Sequence, residues 1–299
     1  RATTPANAQR AYLYSTWHLG SQVDLTAGAA YGRIEFSELS VAPFDDAKQA
    51  QDALDPKVGI VVRLTPTTTL RGAYFETLGG AGSADLEAIE PTQVSGFNQL
   101  FDDPVAARSR GAGVGLDQKF AKRTYAGVDA TWREIRWPFG FDSVPTLPGG
   151  GDNLVSHLRA EESSLRAYLY QVLHRTATAT AEYTLLDRVD DTFALIENSD
   201  DHSRTHRVRL GLNYFNPRGW FSSVSATWRY QELKNFEPAD GVVNGTRDFW
   251  IADATVGYQF PKRTGYVAFS FNNLFDQSFR YQPVGIDQRF LPDFSVGMR

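Results

Sequence analysis

The stretch GYVAFSFNNLFDQSFRY, residues 265–281, puts Val267, Phe269, Phe271, Asn273 and Phe275 on one face of an extended chain. Tyr266, Ala268, Ser270, Asn272 and Leu274 take the other face, because successive side chains of a strand point to opposite sides. A face with that much aromatic surface either packs on a second sheet or meets lipid. The rest of the chain decides between the two.

The same two-residue alternation recurs. QVDLTAGAAYG (22–32) sets Val23, Leu25, Ala27, Ala29 and Tyr31 against Asp24, Thr26, Gly28, Ala30 and Gly32. RGAGVGLDQKF (110–120) sets Ala112, Val114, Leu116 and Phe120 against glycines, Asp117 and Lys119. THRVRLGLNYF (205–215) and FWIADATVGYQF (249–260) repeat the pattern. A soluble sandwich strand also has one apolar and one polar face. Here the polar face is rich in Gly, Ser, Thr and charges, and the apolar face often ends in Trp, Tyr or Phe, as the aromatic girdles of membrane barrels do.

Connection lengths give a second, independent signal. HLGSQ (18–22), TPTTT (65–69), AKR (121–123), HRTA (174–177), NPRG (216–219) and PKRTG (261–265) are short. The intervening connections near 37–55, 77–106, 138–160, 190–203, 233–246 and 278–291 are long. Short periplasmic turns alternating with long extracellular loops are the asymmetry of outer-membrane barrels. The expectation is an all-β, antiparallel transmembrane β-barrel occupying residues 1–299. About thirteen strands are expected: 10–18, 22–36, 56–64, 69–77, 107–120, 123–137, 159–173, 177–189, 203–215, 220–233, 246–260, 264–278 and 291–299. Because bacterial barrels usually have even strand numbers, the full protein is expected to have at least 14. RATTPANAQ reads as a loop, so upstream strands and an N-terminal periplasmic or plug domain are expected before it.

Composition narrows the function classes. The 299 residues carry a formal net charge of −5, 42% apolar and 13% aromatic residues, and no cysteine. Disulfides, thiolate metal sites and cysteine nucleophiles are excluded, and no basic run supports a nucleic-acid partner. No segment approaches the ~18 apolar residues of a membrane-spanning helix, which does not test for a barrel. His202 and His206 stand four apart without a supporting ligand set. The pairs Asp45–Asp46, Asp102–Asp103, Asp190–Asp191 and Asp200–Asp201 fall at loop ends, where a solvated loop and a surface divalent-cation site are both open readings. Glycine-rich GGAGSA (79–84) and LPGGGDN (147–153) precede no helix and are expected as loop tips rather than phosphate cradles. Neither Ser156–His157 nor Asp201–His202 is supported as part of a triad, so no catalytic residue, cofactor or metal ligand is expected.

The chemistry that remains is the charge on the polar face. Asp24, Arg63, Arg71, Asp117, Lys119, Asp129, Arg133, Glu182, Arg188, Arg207, Arg209, Arg229 and Asp253 are expected to point inward, since charge on the lipid face is costly. They either tune the passage of a solute or pair to hold a filled lumen together. Arg207 and Arg209, two apart on one face, make the most concentrated positive site.

Short motifs add a family resemblance. KVGIVVRLTPTTTLRGAYFETLG (57–79) resembles the strand, threonine-rich turn and second strand that precede a large loop in TonB-dependent receptors, with IEPTQVSGFNQLFDD (89–103) following it. NNLFDQSFRY (272–281) is similar to the Asn-Leu-Phe-Asp motif near the carboxyl end of that family. EPTQVSGFNQLFDD, GLDQKF, THRVRLGLNYFNPRG and DFWIADATVGYQFPKRTGY also resemble outer-membrane proteins in which periplasmic tetratricopeptide repeats precede a smaller receptor-like barrel. The resemblance implies transport of a solute across the outer membrane of a Gram-negative bacterium. A repeat-linked conduit exporting a polymer such as an exopolysaccharide, and a non-transporting barrel anchoring a surface assembly, are the alternatives. The expected partners are the lipid bilayer, lipopolysaccharide and a periplasmic energy-coupling or tetratricopeptide-repeat component. The motifs do not name the solute.

Overall fold

A computed structural model describes residues 7–37, 48–79, 90–99, 103–104, 106–141, 154–191, 200–236, 244–279, 281 and 295–298. Thirteen strands form one antiparallel sheet in chain order. They are β1 (Asn7–Leu19), β2 (Val23–Ser37), β3 (Lys48–Thr65), β4 (Thr68–Leu78), β7 (Arg108–Phe120), β8 (Thr124–Phe141), β9 (Leu154–His174), β10 (Ala177–Asp191), β11 (Asp200–Phe215), β12 (Trp220–Lys234), β13 (Gly245–Gln259), β14 (Tyr266–Asn272) and β15 (Ser295–Met298). A separate small hairpin, β5 (Gln93–Val94) and β6 (Phe97–Asn98), interrupts the run between β4 and β7.

All six expected short connections are tight turns at one end of this sheet. Gly20, at φ +71°, and Gly219, at φ +99°, take backbone conformations that a side chain would strain.

The two faces differ as the alternation demands. On β12 and β13, Trp220 lies tilted against Tyr258 with ring centroids 5.1 Å apart, and Trp228 lies 6.4 Å from Trp250. Between these aromatic pairs the same face carries only Ser222, Val224 and Ala226 on β12 and Val256, Ala254 and Ala252 on β13. Trp220 and Trp228 are eight positions apart, about 26 Å along a strand at ~3.3 Å per residue, and strand tilt shortens that height. Val114, Leu212 and Val224 are each more than half exposed on this face. Water would not tolerate so continuous an apolar band on a monomer; lipid does.

Three expectations change. β3 begins at Lys48, eight residues before the expected start at 56, because Ala53, Asp55 and Lys57 are buried rather than solvated. β14 ends at Asn272 although the written alternation continues to Phe275. Asn273 and Asp276 adopt positive φ, and the Asn273 side chain closes a turn by accepting from the Gln277 N–H (2.9 Å) and donating to its carbonyl (3.0 Å). Part of the long connection after β4 folds inward: residues 90–99 lie on the polar face of the sheet. The remainder of GGAGSA beyond Gly79, all of LPGGGDN, and Asp45, Asp46 and Asp102 lie outside the described residues.

The inward hairpin fits because of its turn and because of glycines beneath it. Ser95 and Gly96 have φ of 48° and 85°, both positive as a type I′ hairpin requires. A Cβ on Gly113 would stand 2.4 Å from the Phe97 ring, and one on Gly59 would lie 2.7 Å from Val94. Phe75, Val94 and Phe97 then form a small buried cluster with Tyr14 and Ala73 packed against it. The interior face is therefore the one that carries both the charges and the hairpin.

Candidate functional site

The interior charges assemble into three networks. The first is a ladder across β4, β7, β8, β9 and β10. Arg71 donates to Asp117 through Nε (2.6 Å) and to Asp129 through Nη2 (2.6 Å). Arg166 reaches Asp129 (3.5 Å) and Glu182 (3.4 Å). Tyr168 donates to Asp117 and Tyr170 to Glu182, and the two rings stack 4.9 Å apart. These contacts follow from register, since Asp129 is paired with Gly115 on one side and Arg166 on the other. A guanidinium's planar fork is suited to bridging two carboxylates at once, which a lysine cannot reproduce.

The second network sits nearer the long loops. Arg133 binds Asp103 (2.7 and 3.0 Å) and Glu162 (2.6 and 3.0 Å), with all three side chains nearly shielded from solvent. Arg188 extends it from Glu162 to Asp190. Asp103 and Asp190 thus have arginine partners, which accounts for two of the acidic loop-end residues.

The third network holds the hairpin. Glu90 accepts a 2.5 Å hydrogen bond from Tyr14 and faces Arg10 (3.4 Å) and Lys57 (3.6 Å). Gln99 donates to Tyr14 (3.1 Å) and to the Pro91 carbonyl (2.8 Å). Asp55 accepts the Leu78 N–H (2.9 Å), and the Lys57 ammonium donates to the Glu76 carbonyl. Lys57, Asp55 and Glu90 are fully buried and Arg10 reaches them from a partly exposed position, so two cations and two carboxylates neutralise one another; buried charge is tolerable only when so paired.

The expected site residues therefore divide. Asp117 and Asp129 belong to the ladder, and Arg133 to the second network. Arg209 lies opposite Glu182, and Arg207 is directly opposite both Thr184 and Arg229. Arg207 donates to Thr184 (3.2 Å), and the Arg229 guanidinium lies 4.7 Å from the Tyr281 ring. Lys119 stands apart at the short-turn end, above the Tyr125 ring. Asp253 is also apart: its Oδ1 accepts the Asn273 N–H (3.0 Å) and so terminates β14. Asp24 pairs with both Arg63 and His18 by the first short turn. His202 and His206 take separate partners, Asp187 and Tyr183, on the outer face.

Arg10, Tyr14, Asp55, Lys57, Glu90, Gln99, Glu162 and Arg166 were not among the residues expected from sequence. One signal for the hairpin was present: Ser95–Gly96 flanked by Val94 and Phe97 is a two-residue turn pattern. Among the described residues no group of three or more His, Asp or Glu could hold a metal ion.

Residues 1–274 match the family model described as TonB dependent receptor-like, beta-barrel. The chain belongs to that family. An outer-membrane TonB-dependent receptor-like barrel is thus the setting of these networks. Solved structures share the fold. The FrpB iron transporter from Neisseria meningitidis is 13% identical, with a TM-score of 0.57 over 93% of this chain and 42% of that one. The ferripyoverdine receptor of the outer membrane of Pseudomonas aeruginosa is 15% identical, with a TM-score of 0.56 over 98% and 37%. The copper transporter OprC is 15% identical, with a TM-score of 0.57 over 92% and 43%. The chain spans less than half the length of these structures. No curated protein sequence matches it.

Proposed function

We propose that this barrel moves an anionic solute across the outer membrane, with a periplasmic energy-coupling partner as its source of work. The observation that carries the reading is the sign of the wall formed by β9 to β12. Midway along these strands Arg166, Arg207, Arg209 and Arg229 face the interior around Glu182, whereas Glu162 and Asp190, nearer the long loops, are taken up by Arg133 and Arg188. Clustered cations in a confined polar passage raise the local concentration of anions. The solved relatives that transport iron chelates and copper support a transport role for the barrel type, and the present chain's own cargo class is read from its arginines.

The test is ion selectivity. In planar bilayers under a salt gradient, the intact protein and a variant lacking residues 90–99 are compared for reversal potential. Anion preference that falls in R207Q/R209Q is the expected result. Cation preference, or no conductance from either protein, contradicts the proposal.

A further inference from the structure

The outward face carries a feature that solute transport does not use. Arg108, Arg136 and Arg159 are directly opposite one another on three adjacent strands, β7, β8 and β9. Like charges paired directly across strands are destabilising, so a row of three arginines needs an explanation.

The row is held in place from below. One pairing step nearer the short turns, the same outward face carries Arg110, Glu134 and Glu161 in register. Glu134 receives Arg110 (2.5 Å) and Arg136 Nε (2.5 Å), and Arg159 Nε lies 3.6 Å away. Arg108 reaches Glu76 at 3.4 Å, and Arg159 also pairs with Glu161. The Glu134 side chain is 2% exposed, whereas those of Arg108, Arg110, Arg136 and Arg159 are 40–57% exposed. The carboxylate that organises the group is hidden, and the guanidinium edges face out. Each guanidinium has five N–H donors; Nε of Arg136 points to Glu134 and leaves its two terminal nitrogens for another acceptor.

A groove of about 420 Å³ opens beside the row, lined by Gln51, Ser109, Arg108, Arg110 and Arg136 together with the carboxylates Glu76 and Glu134 that these arginines bind. It forms where β3 and β4 part: their pairing stops at Lys57 and Phe75, while both strands continue. The apolar band begins immediately below. Ala112 and Trp132 follow Arg110 and Glu134 on the outward face, and the Arg110 guanidinium lies 5.7 Å from the Trp132 ring.

We propose that Arg108, Arg136 and Arg159 bind the phosphate groups of lipopolysaccharide in the outer leaflet. Charge complementarity selects a multiply charged oxyanion, since guanidinium groups match phosphate oxygens with paired, charge-assisted hydrogen bonds. Continuity with the lipid band selects a membrane-borne phosphate over a free one: acyl chains cover Ala112 and Trp132 while the headgroup meets the row. The site rests on the outer-membrane setting and on the long-loop end facing outward, and it is independent of what the lumen carries.

The test uses the protein purified from the outer membrane, stripped of lipid in detergent and titrated with vesicles containing diphosphorylated lipid A or its dephosphorylated counterpart. Wild-type protein binds the phosphorylated lipid about tenfold more tightly. R136Q/R159Q loses that preference while retaining folded, heat-modifiable migration, and R136K/R159K keeps part of it; a tenfold change corresponds to about 1.4 kcal/mol. The lipid comparison needs no variant, so it stands even where a substitution blocks folding. Equal affinity for the two lipids, or an unchanged preference in folded R136Q/R159Q, overturns the site. Full displacement of the lipid by inorganic phosphate at equal phosphate concentration assigns it to a free anion and overturns the lipid reading. Failure here leaves the selectivity test of the lumen untouched.

Discussion

Lys57 and Glu90 meet inside the barrel wall, Nζ to Oε1 at 3.6 Å, with neither side chain exposed to solvent. One residue belongs to a strand of the sheet and the other opens the inward hairpin, so this contact fastens the hairpin to the wall. Removing Lys57 leaves Glu90 and Asp55 to share Arg10 as their cation, and breaking a buried pair in this way costs about 3–5 kcal/mol. K57M should lower unfolding stability by that order, and K57M/E90L should recover more than half of the loss. A double variant no better than K57M would show that the two charges are not coupled.

The glycines under the hairpin make a steric prediction. Leucine at Gly113 would place its Cβ 2.4 Å from the Phe97 ring. G113L should displace residues 90–99, at a cost of about 1–3 kcal/mol for overpacking. The absence of native cysteine allows a direct reading: a cysteine at Val94, 1% exposed in the wild type, should become reactive to a soluble maleimide in G113L. Gly72 is a control, because its nearest contact would be Ile60 Cγ2 at 3.4 Å. Val94→Cys that is equally reactive with or without G113L argues against a wedged hairpin.

Arg71 joins Asp117 and Asp129, and its guanidinium also covers Phe97 at 5.1 Å. R71A leaves two carboxylates facing each other across β7 and β8. It should be more destabilising than R71A/D117N/D129N, in which the surplus negative charge is gone. R71K should fall between wild type and R71A, because one ammonium cannot span both carboxylates with paired bonds. Thermal unfolding of the four proteins orders them, and the triple variant being the least stable would refute the ladder's role.

Topology is tested from outside intact cells. Asn235, at the long-loop end of β12, and Lys262, in the short connection after β13, are both exposed. N235C should react with a membrane-impermeant reagent and K262C should not. The reverse pattern would invert the barrel and remove the lipopolysaccharide site with it.

The sheet was legible because lipid imposes a strict alternation that survives in single segments such as THRVRLGLNYF, and because turn lengths repeat around the sheet. Strand parity accounts for the face that Asp117, Asp129, Arg133 and Arg207 share. It failed to anticipate the hairpin network because burial there comes from a loop, not from the period of a strand. Asp55 and Lys57 look solvated in QAQDALDPK until Glu90, more than thirty positions later, is laid on them. Asp253 follows the same parity, but its bond to the Asn273 N–H depends on where β14 stops, and alternation alone runs past that point.

The central claim is which face of the sheet meets lipid. Val224 and Ser225 are neighbours on β12 that point to opposite sides, one 54% exposed and the other 9%. The decisive measurement is the folding free energy in lipid vesicles of V224R and S225R, each against wild type. An arginine on the lipid face near mid-bilayer costs about 2–4 kcal/mol, whereas a lumen substitution is tolerated. V224R should therefore be destabilised by that amount and S225R by clearly less. A larger loss for S225R, or equal losses for both, would contradict the assignment of the apolar face to the bilayer.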